Sequence, residues 1–390
     1  MLSMKILYDH QAFTMQTHGG VTRCFAELIS NLPDDISSVI AVKESDNVYL
    51  KEKQLVKGLK PLSRSRSTFL GGVDNPLKEF LFNSLNYIPG VRTPKVINRD
   101  YSLELIKRGD YDVFHPTFFD EYFLPYLNDK PFVLTVHDLI SERMERDKHR
   151  NDSQIGQRKR LVKKAAHIVA VSENTKQDLI ELLDVPEQKI SGVYHGGPDV
   201  DLTQISSKPI VEGKYLLFVG ARNVAYKNFK PFIIQCAPLL QADQNLKIVC
   251  TGTPFTEDEL ALFSTLGIER QMLQMFVSSS ELYNLYHHAC AFVFPSAYEG
   301  FGIPILEAFA CNCPVLLNHA SCFPEIAGEA ANYFDINKEK GDCCLAEVVQ
   351  RLLCDEKERN RKILQGEKRL QDFSWKRSAM QLAKIYRSLL

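Results

Sequence analysis

The sequence predicts an α/β protein made of two domains, each with a parallel sheet. Short apolar runs alternate with longer amphipathic segments along most of the chain, which is typical of parallel strands joined by helices. A polar stretch over residues 197–213 interrupts this alternation, which then resumes. The 390 residues also suit two domains better than one. We therefore predict a first domain over 1–196, a linker over 197–213 and a second domain over 214–372.

Each domain has its own series of predicted elements. In the first domain the apolar runs indicate strands over 5–8, 38–42, 112–115, 131–136, 167–171 and 189–194. Helical spacing of apolar residues marks segments 21–32, 154–166 and 173–183. In the second domain we predict strands over 215–220, 246–250, 289–294 and 314–317. A last helix follows residue 373, because Ala379, Leu382, Ala383, Ile385 and Tyr386 share one helical face.

Composition excludes some classes of protein. The chain has 47 Lys and Arg against 48 Asp and Glu, a balance that argues against a general nucleic-acid binder. Its ten cysteines lack the spacing of zinc ligands, and several lie in apolar runs, so we expect small buried side chains in a reducing cytosol. The sequence has no signal-peptide pattern and no apolar run of membrane-spanning length, so we expect a cytoplasmic protein.

Residues 51–108 form the least regular part of the chain. They contain twelve Lys and Arg against five Asp and Glu, together with small apolar clusters. One interpretation is a solvated helical excursion. The other is a docking surface for an anionic acceptor, or a peripheral contact with the inner face of a membrane.

The most informative segment runs from Ser296 to Ala310, where Glu299 and Glu307 flank a Gly-Phe-Gly turn. An apolar strand precedes this turn, and Pro304 suits the first turn of a helix after it. Glycines allow a ligand to approach the backbone, and the N–H groups at a helix start attract phosphate. The two carboxylates would accept hydrogen bonds from hydroxyls on either side. This combination describes a sugar nucleotide, although an ordinary strand-to-helix turn with two solvated acids has the same pattern.

Two cations on another loop fit the same ligand. Arg222 and Lys227 lie between a strand and a helix, at the carboxyl edge where open α/β sheets bind ligands. Fixed cations there would neutralise the charge that grows on a departing diphosphate. The alternative is a capped helix with solvated cations.

The segment around Glu299 and Glu307 resembles the signature of glycosyltransferase family 4. The resemblance implies the GT-B fold, in which two Rossmann-like domains face a cleft and the final helix, here 373–390, crosses back to the first domain. It implies a retaining transferase that uses a nucleotide sugar as substrate and no bound metal or other cofactor. Glu299 would bind hydroxyls of the transferred sugar and Glu307 the ribose. The donor would also contact the turn and helix start, at Gly300, Phe301, Gly302 and Ile303.

Three other segments carry the same resemblance. Arg222 and Lys227 match the pair that holds the donor diphosphate. Gly19 and Gly20 match a glycine loop that approaches this diphosphate, although a Gly-Gly pair alone is a weak signal. His137, at the end of an apolar strand, matches the histidine that reaches the transferred sugar, while a satisfied structural histidine is the alternative. Ser172 is either the N-cap of the next helix or a phosphate or acceptor contact.

Asp110-Tyr-Asp112 looks like a metal-binding pair of a different transferase class. It precedes a strand, at the amino-terminal end, away from the ligand edge, so we reject it as a metal site. Two departures from the family pattern, at His195-Gly-Gly and around Gly252, leave the nucleotide and the sugar less defined.

The resemblance thus implies a hexosyltransferase. The opening segment 7–13, with Gly19 to Arg23, resembles a branch of bacterial mannosyl- and rhamnosyltransferases that make surface polysaccharides. We expect a donor such as GDP-mannose and a glycan or lipid-linked saccharide as acceptor. The alternatives are a sugar-nucleotide epimerase or hydrolase of the same fold, or a non-catalytic partner protein. An NAD-dependent oxidoreductase is disfavoured because the dinucleotide glycine fingerprint is missing.

Overall fold

A computed structural model describes residues 4–63, 84, 92–144, 153–338, 340–341 and 343–390 of the chain. Contacts divide the chain into two compact units. The first comprises Met1–Val171, Thr175–Tyr194 and Trp375–Leu390, and the second comprises Ser172–Asn174 and His195–Ser374. The predicted first domain ends at residue 196, and the predicted linker falls within the second unit.

The first unit is built on parallel strands in two sets of three. One set has the order β2-β1-β3, and the other has the order β4-β5-β6. A parallel bridge between Phe114 and Phe132 connects the end of one set to the start of the other. The strands are β1 (Met4–Tyr8), β2 (Ile36–Ile40), β3 (Val113–His115), β4 (Val133–Val136), β5 (His167–Ala170) and β6 (Ile190–Gly192).

Helices cover both faces of these strands. They are α1 (Gln11–Met15), α2 (Gly20–Ser30), α3 (Val48–Glu52), α4 (Pro94–Arg108), α5 (Ile140–Met144), α6 (Ser153–Lys164), α7 (Glu173–Leu183) and the final helix α15 (Trp375–Arg387). Strand β1 shows the two faces: Ile6 and Tyr8 join one apolar core, and Leu7 joins the other. Helix α4 was not predicted, because its apolar residues have no helical periodicity. Local signals define its ends instead: the Thr93 hydroxyl caps the Val96 N–H at 3.3 Å, and Gly109 ends the helix with a φ of 69°.

The predicted final helix packs into the core of the first unit. Its apolar face, with Trp375, Leu382 and Tyr386, lies in the same core as Ile6 and Tyr8. The return of this helix to the first unit is therefore confirmed.

A buried chain of hydrogen bonds fixes the last turns of this helix. The Tyr386 hydroxyl lies 2.7 Å from the Tyr8 hydroxyl and 2.6 Å from Nδ1 of His115. Nε2 of His115 lies in turn 2.8 Å from the Thr135 hydroxyl. The chain thus joins β1, β3 and β4 to α15. Burial lowers the pKa of His115 from 6.5 to about 3, so the imidazole is neutral at physiological pH.

The second unit contains one six-stranded parallel sheet. Its order is β12-β11-β10-β7-β8-β9, which places the first strand of the unit, β7, in the middle beside β10. The strands are β7 (Tyr215–Phe218), β8 (Lys247–Thr251), β9 (Met272–Met275), β10 (Ala291–Phe294), β11 (Val315–Asn318) and β12 (Ala331–Phe334). The helices are α8 (Phe229–Ala242), α9 (Glu257–Leu266), α10 (Ser279–His288), α11 (Ile303–Ala310), α12 (Phe323–Ala327), α13 (Leu345–Cys354) and α14 (Glu356–Leu370).

The parallel α/β architecture is confirmed in both units, but two strands, β9 and β12, were not predicted. Both lie at edges of the six-stranded sheet, and their residues are mainly half-buried. The central strands are buried along their whole length, which gives the continuous apolar runs from which they were predicted.

Residues 64–83 and 85–91 of the irregular segment 51–108 lie outside the described residues. Elsewhere in this segment several cations are paired with carboxylates, as in Lys51 with Asp46, Lys53 with Glu27, Arg92 with Asp100 and Arg108 with Glu104. Among the described residues, no helix has the length and hydrophobicity needed to cross a bilayer.

Two smaller predictions also have structural outcomes. Asp110 forms an ion pair with Lys5, and the carboxylate of Asp112 accepts the Lys5 backbone N–H at 2.7 Å. Both acids therefore serve to anchor β1. Seven of the ten cysteines are buried, as small apolar side chains would be: Cys24, Cys236, Cys250, Cys311, Cys313, Cys322 and Cys344.

The buried histidines predict an acid-sensitive first unit. An unfolded chain takes up a proton on His115 below pH 6.5, whereas the folded chain does not, so stability falls as pH falls. Between about pH 7.5 and about pH 5.5, His115 should lower the free energy of unfolding by about 1.4 kcal/mol. Urea unfolding followed by fluorescence of Trp375, the single tryptophan, reports on this unit directly.

A His115→Asn variant should lose the contribution of His115 to the pH dependence of the free energy of unfolding. An unaltered pH dependence in a folded His115→Asn variant would contradict the assignment.

Candidate functional site

The turn between β10 and α11 forms the centre of the candidate site. Gly302 is the N-cap of α11, with φ 93° and ψ 51°, and Pro304 lies in the first turn of the helix as predicted. A Cβ at Gly302 would lie 3.0 Å from Cδ1 of Ile305 and 3.4 Å from a ring carbon of Phe323. Both backbone conformation and space therefore require glycine here. The turn leads the chain directly from the carboxyl end of a central strand into the start of a helix.

Lys227 and Glu299 form an ion pair at this edge of the sheet. Lys227 follows β7 and Glu299 follows β10, and these strands are neighbours, ~4.8 Å apart. Only 15% of the Lys227 side chain and 14% of the Glu299 side chain are exposed. Because both charges are largely removed from water, each depends on the other or on a ligand that replaces it.

Backbone contacts hold the two loops in register. The side chain of Asn228, a residue with a φ of 53°, donates to the Pro295 carbonyl at 2.9 Å. The Ala297 N–H donates to the Tyr226 carbonyl at 2.7 Å. The loop after β7 is thus tied to the loop after β10 on either side of the ion pair.

The backbone of Glu299 is fixed by the loop after β11. The Ser321 hydroxyl donates to the Glu299 carbonyl at 2.7 Å and accepts its N–H at 3.2 Å. The Cys322 thiol lies 3.2 Å from the same carbonyl and 3.2 Å from that of Phe301. Burial raises the pKa of this thiol well above its usual range, so it acts as a neutral donor.

Arg222 is placed differently from Lys227, although both follow β7. Its Nε donates to Glu259 at 2.9 Å, and its Nη2 donates to the carbonyls of Thr253 and Pro254 at 2.6 Å and 2.9 Å. The guanidinium also lies 4.9 Å from the Phe255 ring centroid, and only 4% of the side chain is exposed. In this conformation Arg222 connects the loops after β7 and β8, and it would have to leave some of these partners to contact a diphosphate.

The other residues of the Gly-Phe-Gly turn are held from within the second unit. The Gly300 carbonyl accepts a hydrogen bond from the Ser172 hydroxyl at 2.6 Å. The Phe301 ring is buried, with ring centroids at 4.6 Å from His195 and 5.9 Å from Phe373. The Phe301 side chain therefore anchors the turn, and only its backbone remains as a candidate donor contact.

Glu307 lies in the second turn of α11, four residues after Ile303 begins the helix. Glu307 is 8% exposed, and its Oε2 lies 3.5 Å from the Tyr286 hydroxyl. Burial, together with the adjacent Glu307, raises the pKa of Tyr286 well above its usual range, which keeps the phenol protonated as a donor.

The remaining predicted site residues lie in the first unit. Gly19 is the N-cap of α2, and Gly20 is its first residue. The Gly19 backbone is extended, so its conformation does not require glycine, but a Cβ here would overlap the Gln16 side chain. Gly19 and Gly20 place no side chain of their own at the start of α2, and Gln16 fills the space beside Gly19.

His137 follows β4, with its ring 5.8 Å from that of Phe25 in an edge-to-face contact. Burial lowers the pKa of His137 to about 4. The imidazole is therefore neutral near pH 7 and can donate or accept a hydrogen bond without carrying charge.

In the second unit the structure brings together Lys227, Glu299 and the turn from Gly300 to Gly302. The cation and the helix start favour an anion, and the carboxylate can accept a hydrogen bond from a hydroxyl. Asn228, Ser321 and Cys322, which position these groups, were not predicted as site residues. Only Asn228 had a local signal, as a residue that tolerates a positive φ directly after Lys227.

The chain matches two family models. The model described as Glycosyltransferase Family 4 covers residues 18–198, and the model described as Glycosyl transferases group 1 covers residues 201–369. Together they extend over both units.

Similar curated proteins include the O-antigen chain mannosyltransferase RfbU of Salmonella typhimurium, at 33% identity over 183 residues, 47% of this chain and 50% of that protein. The O-antigen chain mannosyltransferase B of Escherichia coli is 27% identical over 235 residues, 57% of this chain and 60% of that protein. The chain thus spans about half to three-fifths of the length of these relatives.

Solved structures with the same fold include a glycosyltransferase from Rickettsia africae, with a TM-score of 0.67 at 16% identity over 100% of this chain and 99% of that one. Anabaena Alr3699/HepE, in complex with UDP and glucose, has a TM-score of 0.71 at 15% identity over 99% of this chain and 100% of that one. These similarities show that the chain has the GT-B fold.

Gly302 provides a test of the turn geometry. Gly302→Ala should lower the free energy of unfolding by more than the ~1–2 kcal/mol that a left-handed backbone costs a non-glycine residue, because buried Ile305 and Phe323 must also move. Gly267→Ala is the matched control, since Gly267 has a φ of 66° and no atom within 4 Å of its Cβ position. Calorimetric unfolding compares the two, and equal losses would show that the space around Gly302 is not limiting.

Proposed function

Because the chain belongs to the family 4 glycosyltransferases, we propose that it transfers a hexose or deoxyhexose from a nucleotide diphosphate sugar to a saccharide acceptor. The observation that carries this proposal is the Lys227–Glu299 ion pair beside the start of α11. A nucleotide sugar has an anionic diphosphate next to a sugar with free hydroxyls. The pair offers a cation to the first group and a carboxylate to the second.

Lys227 stabilises the leaving diphosphate in this proposal. Breaking the bond between the anomeric carbon and the phosphate oxygen leaves additional negative charge on the phosphate. The Lys227 ammonium and the N–H groups at the start of α11 are positioned before the reaction, so they require little reorganisation as this charge develops. The glycine turn lets the phosphates approach these N–H groups, and Gly19 and Gly20 supply a second glycine-rich helix start.

Glu299 binds hydroxyls of the transferred sugar, and Glu307 binds the ribose. Once the diphosphate binds Lys227 in place of Glu299, the Glu299 carboxylate can accept hydrogen bonds from the sugar. His137 contacts the transferred sugar as a neutral imidazole, consistent with its low pKa. Arg222 orders the loop after β7 through Glu259, and its direct contact with the diphosphate requires release from the carbonyl groups.

The proposed reaction retains the anomeric configuration. The acceptor oxygen bonds to the anomeric carbon on the face from which the diphosphate leaves, and the acceptor proton passes to the departing phosphate oxygen. The product is a new glycosidic bond and a nucleoside diphosphate. No metal takes part in this account, because Lys227 and the helix N–H groups supply the positive charge.

We further propose mannose as the sugar, GDP as the nucleotide and surface polysaccharide as the product. The similarity to two O-antigen mannosyltransferases supports this choice. The acceptor is a glycan or lipid-linked saccharide, and the enzyme works in the cytoplasm, in peripheral contact with the inner face of the membrane through 51–108.

A donor panel tests the proposal. Thermal unfolding should shift upwards with GDP or UDP and with one of the corresponding nucleotide sugars, because a ligand that binds the native state raises its stability. The shift should persist in EDTA, and the sugar should be consumed only when acceptor is present. Release or isomerisation of the sugar without an acceptor would instead identify a hydrolase or epimerase. No shift with any nucleotide would contradict the proposal and favour a non-catalytic protein.

A further inference from the structure

His10 occupies an unusual position in the first unit. It directly follows Asp9 after β1, at the carboxyl edge of the sheet where open α/β proteins bind ligands. The residue is 3% exposed, and its Nε2 makes no hydrogen bond within the described part of the chain. A buried polar atom of this kind is normally satisfied by a partner, so the position points to a ligand.

A series of hydrogen bonds connects His10 to the start of α4. Asn98 accepts the N–H groups of Lys43 and Glu44 with its side-chain oxygen, which fixes its amide orientation. Its amide nitrogen then donates to the Thr14 hydroxyl at 2.9 Å. The Thr14 hydroxyl lies 3.2 Å from Nδ1 of His10. When this hydroxyl donates to Nδ1, the neutral imidazole carries its proton on Nε2 and presents a buried N–H donor there.

Two cations lie beside this donor. Helix α4 ends just before β3 begins, so it runs antiparallel to the strands and its first turns lie at their carboxyl edge. Asn98 also contacts the loop after β2, which places the first turns of α4 at this edge of the sheet. Lys95 and Arg99 are in these first turns, are exposed and form no ion pair with any described residue.

Both cations act on His10. Together with burial, which is the larger effect, they lower the pKa of His10 to about 3. The Arg99 guanidinium lies 5.3 Å from the Tyr122 ring centroid, and that ring lies 5.6 Å from the His10 ring. The Asp9 carboxylate does not compete for the Nε2 proton, because its oxygens accept hydrogen bonds from Thr117, Gln11 and the Tyr122 hydroxyl.

We propose that His10, Lys95 and Arg99 form a binding site for a phosphate or carboxylate group of the acceptor. An anion is the group that a buried N–H donor and two unpaired cations would bind together. The assignment of this anion to the acceptor rests on the proposed function, which places the donor diphosphate at Lys227 in the second unit. The chemical class is a saccharide that carries either a lipid-linked diphosphate or a uronic acid.

Inorganic phosphate is the first probe, at constant ionic strength. In the full-length protein with isotope-labelled histidine, the His10 ring signals should shift and saturate as phosphate is added. The His10→Phe variant assigns these signals by their loss. Because these signals report on one residue, phosphate bound at Lys227 does not interfere with the measurement.

Replacing both Lys95 and Arg99 by Ala should weaken the phosphate affinity at His10 by about tenfold or more, since two charge-assisted contacts are lost. The matched control replaces Lys107 and Arg108 by Ala, which removes the same charge from the other end of α4. The control should leave the affinity unchanged. An absent shift of the His10 signals, or equal weakening in both double variants, would overturn the proposal.

A second titration identifies the source of the anion. Farnesyl diphosphate represents a lipid-linked diphosphate and glucuronate represents a uronic acid, and the probe that binds His10 more tightly than phosphate names the acceptor class. If neither does, the assignment to the acceptor fails. Failure of the proposed function can be distinguished from failure of the anion site. In the first case nucleotide binding would be absent while the His10 response to phosphate persists.

Discussion

The Lys227–Glu299 ion pair is the interaction on which the candidate site depends. It joins the loops after two adjacent central strands, and both of its charges are largely buried. Replacing either residue removes an ion-pair partner from a charge in a poorly solvated place, which is unfavourable. A ligand that contains both an anion and hydroxyl groups can satisfy the two side chains separately. The pair therefore balances both charges, and in the proposed function a ligand with an anion and hydroxyl groups replaces each partner.

Other residues at the carboxyl edge of the six-stranded sheet hold the loops around this ion pair. Gly302 turns the chain into α11 within a space that admits no Cβ, three residues after Glu299. Arg222 follows the same strand, yet it is held by Glu259 and by backbone carbonyls. Of the two predicted cations on this loop, Lys227 is thus the one paired with a residue of the candidate site, whereas Arg222 organises the loop.

The sequence predicts most of this architecture, for identifiable reasons. Buried central strands such as β10 give continuous apolar runs, whereas the edge strands β9 and β12 are half-buried and give none. The glycine turn was predictable because its signals are local. The pairings were not, because Lys227 and Glu299 are 72 residues apart and Arg222 and Glu259 are 37 apart. Such partners are selected by strand order, which brings together β7 and β10 from distant parts of the sequence.

Calorimetric titration of Glu299→Gln with a nucleoside diphosphate and with the matching nucleotide sugar tests the central claim most directly. If Lys227 binds the diphosphate and Glu299 the sugar, this variant should bind the nucleoside diphosphate at least as tightly as the unmodified protein does, because the competing carboxylate is gone. It should bind the nucleotide sugar about tenfold more weakly, through the loss of a charge-assisted hydrogen bond. Equal weakening of both ligands would contradict the division of roles between the two side chains.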